Sequence, residues 1–305
     1  MNDISPTLQA RPDRPVDALL VEILRRVDAV MRETGVDYFV GGAVARDLIL
    51  SHVFGRDTGR ATRDVDLGIC IDNWAQFDLL KAKLISGNDF FSAAGIPGRL
   101  MYRREKDVFG IPLDLLPFGG VENADTTIAW PPGMDIVMNV AGFAEARSAA
   151  LTVAVADGLA VPVASLPSLA LLKLVAWRDR HLTTSKDATD FLLIARHYHG
   201  AGQLDRLYES ESALLKATDF DPEMAGAMLL GKDAAEICLP ATAQSIEGIW
   251  TDPQLRQSLS DQLLRGALAS GDTTGSARVE ALVDSFHTGF RSRFDNMQTK
   301  EEKCR

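Results

Sequence analysis

Two aspartates one residue apart, Asp64 and Asp66 in "DVDLGI", follow shortly after two adjacent glycines, Gly41 and Gly42 in "YFVGGAVARD". Side chains alternate along a strand, so Asp64 and Asp66 point to one face and Val65 to the other. Two carboxylates that close repel unless a cation lies between them. Oxygen donors favour magnesium, which takes one or two carboxylates together with substrate phosphates. A bare Asp-x-Asp also arises as a turn cap beside a solvated strand end.

The glycines narrow that choice. Strand, Gly-Gly, helix leaves backbone N–H groups where a phosphate can approach with no side chain in the way, and a helix start adds a partial positive charge. A glycine-cradled phosphate beside a carboxylate-held metal describes a nucleoside triphosphate site. A tight turn alone would explain the glycines equally simply. Attack on the α-phosphorus calls for a third carboxylate, to activate the hydroxyl and to complete a pair of metals about 3.5–4 Å apart. "IPLDLLPF" supplies Asp114, an acid in a strand-like apolar run. An unpaired charge there is costly, so Asp114 needs a partner unless it faces water at a strand edge.

These residues need elements to hold them. Apolar residues at helical spacing predict a helix over 15–35, closed by Gly35. "DYFV" predicts the strand before the glycines and "AVARDLIL" the helix after them, with a mobile loop over 51–63. "DVDLGICI" is a strand and 73–85 a helix. Residues 98–119 read as two strands around a turn at Gly110-Ile111-Pro112, and 150–166 as a hairpin turning at Asp157-Gly158. Beyond 165 the patterns are helical. The expected division is 1–165, 166–298 and a flexible tail 299–305, with residues 1–14 mobile as well. The fold class is α/β (α+β), a mixed sheet flanked by helices, followed by a mostly helical C-terminal domain.

Composition bounds the partners. A net charge of −10 argues against a protein that coats nucleic acid all over, though not against a local basic patch. The N-terminal residues lack the apolar core of a signal peptide and no apolar run reaches spanning length, so cytoplasmic placement and no membrane partner are expected. Cys70, Cys238 and Cys304 are far apart and form no CxxC pair, so they read as small buried hydrophobes or, for Cys304, a tail thiol. His197 and His199 fall on different faces of a helix, and no histidine metal site is expected.

"GGAVARD", "DVDLGI" and "LDLL" together resemble the nucleotidyltransferase superfamily related to polymerase beta, over about residues 36–118. The resemblance implies that Asp64 and Asp66 hold the metals, that Asp114 completes the set, and that Gly41 and Gly42 cradle the triphosphate. Arg46 and Asp47 extend the match toward the CCA-adding enzymes. Their usual spacing is one residue shorter, and their downstream Glu-Asp-x-x-Arg pattern is missing here.

The second half resembles the AbiEii-type toxin nucleotidyltransferases of type IV toxin–antitoxin systems, which carry a Lys-h-h-Ala helix and then a Lys/Arg-Asp-h-h-Asp helix. Lys173 to Ala176 and Lys186 to Asp190 fit both. Lys173 and Arg180 share a helix face, flanking Trp177, that could meet a triphosphate. Lys173 could equally snorkel from an apolar helix. Asp187 and Asp190 share the next helix's face. Thr184 and Asp187 could form a capping box. The family instead implies that one of these acids orders the lysine or contacts substrate.

The resemblance implies magnesium-dependent transfer of a nucleoside monophosphate from an NTP to an acceptor hydroxyl. Asp64, Asp66, Asp114 and Lys173 carry it, while Gly41, Gly42, Arg46, Asp187 and Asp190 bind the nucleotide. tRNA is the implied acceptor and an antitoxin the implied partner. Alternatives are a protein or small-molecule acceptor, or a non-catalytic antitoxin-like binding protein that keeps the fold. "RLMYRREK", 99–106, could touch RNA or form a solvated strand face. Residues 200–305 carry no readable motif.

Overall fold

The computed structural model describes residues 7–59, 64–104, 110–269 and 275–303, with only the backbone described beyond residue 292. The chain forms two compact units, 1–165 and 166–305.

In chain order the first unit runs β1 (Leu8–Gln9), α1 (Ala18–Thr34), β2 (Asp37–Val40), α2 (Gly42–Asp47), a wider π-helical turn (Leu48–Val53), β3 (Val65–Ile71), α3 (Trp74–Ser86), β4 (Phe90–Ser92), β5 (Arg99–Tyr102), β6 (Ile111–Gly119), β7 (Thr127–Ala129), β8 (Val137–Asn139), α4 (Phe143–Ser148), β9 (Leu151–Ala156) and β10 (Leu159–Val163). Among the described residues, eight strands build one mixed sheet in the order β1-β9-β10-β2-β3-β6-β5-β4, and β7 pairs with β8 apart from it. β3 lies antiparallel to β2 and parallel to β6, and β5 lies antiparallel to β6.

Local chemistry explains these elements. Asp17 caps α1 by accepting from the Leu19 and Leu20 amides, and Gly35 ends it in the left-handed conformation. Along β3 and β6 every second residue is buried: Val65, Leu67 and Ile69, then Leu113 and Leu115. That face packs toward α1 and α3, and Tyr38 of β2 reaches Asp28 of α1 on the same side with a 3.0 Å hydrogen bond. On the other face Phe39, Phe118 and Phe143 form a triangle of rings with centroids 5.7–5.9 Å apart.

Several expectations change. Leu8 and Gln9, expected mobile, pair with Val153 and Ala154 of β9. Ser51 to Val53, expected in a loop, continue the helix because Leu48, Ile49 and Leu50 are buried and carry the chain one more turn. The following loop is tied down, since the Ser51 hydroxyl donates to the Arg56 carbonyl at 2.9 Å; its last part, 60–63, lies outside the described residues. Ile111 and Pro112, expected in a turn, already belong to β6, and 105–109 between the strands lie outside the described residues.

The second unit is helical: α5 (Leu166–Arg180), α6 (Lys186–His197), α7 (Leu204–Tyr208), α8 (Ser212–Ala217), α9 (Pro222–Ile237), α10 (Pro240–Thr251), α11 (Pro253–Ala269) and α12 (Ser276–Lys303). Proline opens α9, α10 and α11, where its missing N–H costs nothing. α9 and α12 cross closely: a Cβ on Gly231 would lie 1.9 Å from the Phe286 carbonyl oxygen, and one on Gly289 would lie 1.8 Å from that of Met228. The polar tail expected to fray from 299 is helical through Lys303, as its Glu and Lys residues favour. Cys70 and Cys238 are half-buried thiols outside any disulfide among the described residues, and Cys304 lies outside the described residues. No described helix is long and apolar enough to cross a membrane.

Candidate active site

The first unit positions its acids by strand register. Asp66 stands opposite Asp114 across the parallel β3–β6 pair, and Asp114 stands opposite Arg99 across the antiparallel β6–β5 pair. Three strands thus place two carboxylates and a guanidinium in one row on one face. Asp64 precedes β3 and is exposed, two residues from Asp66.

Arg99 holds Asp114 with both arms. Its Nε donates to Oδ1 and its Nη2 to Oδ2, each at 2.6 Å. This planar two-bond match both orients the acid and offsets its charge. The hydrogen bonding to Asp114 pushes the Arg99 guanidinium up from its ordinary value. Partial burial opposes that rise, while the charges of Asp114, Asp64 and Asp66 add to it. All three acids therefore act on one cation. Asp114 required a partner on the cost of a lone acid in an apolar strand; sequence reasoning did not identify Arg99, because register across strands is a non-local property.

Gly41 donates its amide to the Asp66 carbonyl at 2.8 Å, tying the start of α2 to β3. Gly42 has φ +61°, and a Cβ there would fall 1.9 Å from Asp66 Oδ2. Only glycine lets the helix start lie directly against that carboxylate. Arg46 and Asp47, which an exposed helix pair would place in water, are largely buried. Arg46 is 3% exposed, and its Nε donates to Asp47 Oδ1 at 2.9 Å.

The acids fit a hard cation in donor chemistry. Oxygen ligands on adjacent strands suit magnesium, and Gly42 lets the helix start pack directly against the Asp66 carboxylate. Among the described residues no group of three His, Cys, Asp or Glu side chains is gathered as a ready metal cluster, and both oxygens of Asp114 are engaged by Arg99.

In the helical unit Lys173 of α5 donates to Asp187 Oδ1 at 3.2 Å and lies 2.6 Å from Asp190 Oδ2, both on α6. Arg180 adds bonds of 2.6 and 3.0 Å to the two oxygens of Asp187. Asp187 is 1% exposed. Burial alone would raise its pKa, but the Arg180 hydrogen bond and the charges of Lys173 and Arg180 outweigh it and hold the carboxyl below its ordinary range. No capping box forms, because Asp187 turns to these cations; the Thr184 hydroxyl accepts from the Lys186 amide at 3.3 Å. Trp177 is fully buried and donates its indole N–H to Gln262 at 3.0 Å, so it belongs to the core and not to an open face with Lys173.

A family model described as nucleotidyl transferase AbiEii toxin, type IV TA system, matches residues 36–262. The chain belongs to that family. AbiEii membership makes it a nucleotidyltransferase by class and implies a cognate antitoxin. No match is found among curated proteins. Of solved structures, an antigenic nucleotidyltransferase-like protein from Paracoccidioides brasiliensis is similar over 70% of this chain and 96% of that one, at 17% identity and a TM-score of 0.40. The antibiotic-resistance factor ANT(2'')-Ia is similar over 67% of this chain and 98% of its own, at 13% identity and a TM-score of 0.35.

Proposed function

We propose that the chain transfers a nucleoside monophosphate from an NTP to a hydroxyl at the 3′ end of tRNA, with magnesium, as the toxin of a toxin–antitoxin pair. The observation that carries this reading is the in-register pairing of Asp66 with Asp114, with Gly42 packed against the Asp66 carboxylate.

In this reading Asp64 and Asp66 hold magnesium, which when bound offsets the triphosphate charge. Asp114 has its orientation fixed by Arg99, accepts the proton of the acceptor hydroxyl and adds to the metal site. The hydroxyl oxygen forms a bond to the α-phosphorus, the α–β bridging bond breaks, and pyrophosphate leaves. Gly41 and Gly42 leave the backbone open to the triphosphate, and Arg46 braces the helix that begins there. In this reading Lys173 of the helical unit would steady the triphosphate charge, with Asp187 and Asp190 ordering its ammonium group.

The test is label transfer. The protein is incubated with magnesium, each α-labelled NTP in turn, and total tRNA, beside an Asp64→Ala/Asp66→Ala control. The expected result is label on tRNA, absent from the control and abolished by a chelator. Label on a protein or a small molecule instead would move the acceptor to that class. No transfer to any acceptor would overturn the reading.

A further inference from the structure

The row of carboxylates does not end at Arg99. Two residues along the strands, Pro112 of β6 stands opposite Met101 of β5, and Met101 stands opposite Phe91 of β4. By alternation these three share the face of Asp66, Asp114 and Arg99. The opposite face of the same strands is buried, with Phe90, Leu100 and Tyr102 in the core. Phe91 is 41% exposed, and Arg103 lies over its ring with the guanidinium carbon 5.0 Å from the centroid.

We propose that this shelf is a stacking platform for the single-stranded end of a nucleic-acid acceptor, an inference that rests on the nucleotidyl transfer proposed above. Every base has a flat π face, and aromatic rings and arginine planes are the side chains that receive one. A Phe–Arg pair offers both, and the exposed Arg103 adds a positive charge that suits a phosphate backbone. The shelf is continuous with the acids. With strands about 4.8 Å apart and about 6.8 Å per two residues, Phe91 lies roughly 12 Å from Asp114 across the sheet. A hydroxyl terminus at Asp114 would therefore bring a base just upstream onto Phe91. Met101 and Pro112 give the strand a dry floor between those points.

The experiment uses the full chain and an RNA hairpin with a single-stranded 3′ overhang carrying 2-aminopurine. Transfer is measured with the same RNA. Binding to the intact protein is expected to change the 2-aminopurine emission as the base stacks. Phe91→Ala and Arg103→Ala are each expected to raise KM for RNA about tenfold, with KM for NTP unchanged. Phe91→Tyr keeps a ring and is expected to retain near-normal KM, which separates stacking from damage to the edge strand. If the intact protein labels RNA but Phe91→Ala leaves its KM and the emission change unaltered, the platform is overturned and the proposed function stands. If Phe91→Ala impairs labelling of a protein acceptor instead, the shelf is a protein-docking edge and the proposal fails. If the intact protein labels no RNA, the reading it rests on fails first.

Discussion

At the residue scale the site depends on two close fits. Asp114 shares both its oxygens with Arg99, so Arg99 is a positioning residue for the proposed chemistry. Arg99→Ala is expected to lower kcat roughly 10- to 100-fold, the usual cost of removing a group that orients an active carboxylate. KM for NTP should move little, and Arg99→Lys should recover part of the loss; steady-state kinetics reads both. Asp66→Ala should lower kcat by about 10² or more without unfolding the chain, since Asp66 is only half-buried near the start of β3. Gly42 is the second fit. Gly42→Ala forces a side chain into a left-handed backbone, about 1–3 kcal/mol before the collision with Asp66 is counted. A lowered melting temperature together with lost transfer is expected. A normal melt with normal transfer would refute the close approach.

At the element scale the α5–α6 pair is joined by charge. Asp187→Ala removes one carboxylate from Lys173, which keeps Asp190, and from Arg180, whose side chain is 56% exposed, and should destabilise the helical unit by about 1–3 kcal/mol in chemical denaturation. The pH dependence has a definite sign. The folded pKa of Asp187 is depressed, so its stabilisation is complete above the unfolded value near 4 and is lost as pH falls through the lower folded value. The gap between the intact protein and Asp187→Asn should therefore be full at pH 7 and shrink below about pH 4. How far these elements can be read from sequence follows their locality. The Asp-x-Asp strand, the Gly-Gly start of α2 and the hairpin at Gly158 carry their signals within a few residues. β1, β4, β7 and β8 span two or three residues each, too short for alternation to register. Arg99 as the mate of Asp114 depends on the pairing of β5 with β6, and the register that brings Asp66 to Asp114 depends on β3 meeting β6.

At the scale of the whole molecule, a net charge of −10 means that contact with a polyanion must be local. KM for RNA should rise with salt only gently, with a log–log slope no steeper than about +3, because few arginines face the shelf. A much steeper slope would place the RNA on a larger basic surface elsewhere. The parallel pairing of β3 with β6 has a consequence for synthesis. Between those strands the chain must first make α3, β4 and β5, so the meeting of Asp66 with Asp114 is a long-range event. A nascent chain leaves the ribosome N-terminus first and thus exposes Asp64 and Asp66 well before Asp114 exists. β10, the other neighbour of β2, follows later still. A ribosome-bound fragment that stops short of Asp114 therefore cannot assemble its acids, and the sheet that holds them is complete only after the first unit has been fully translated.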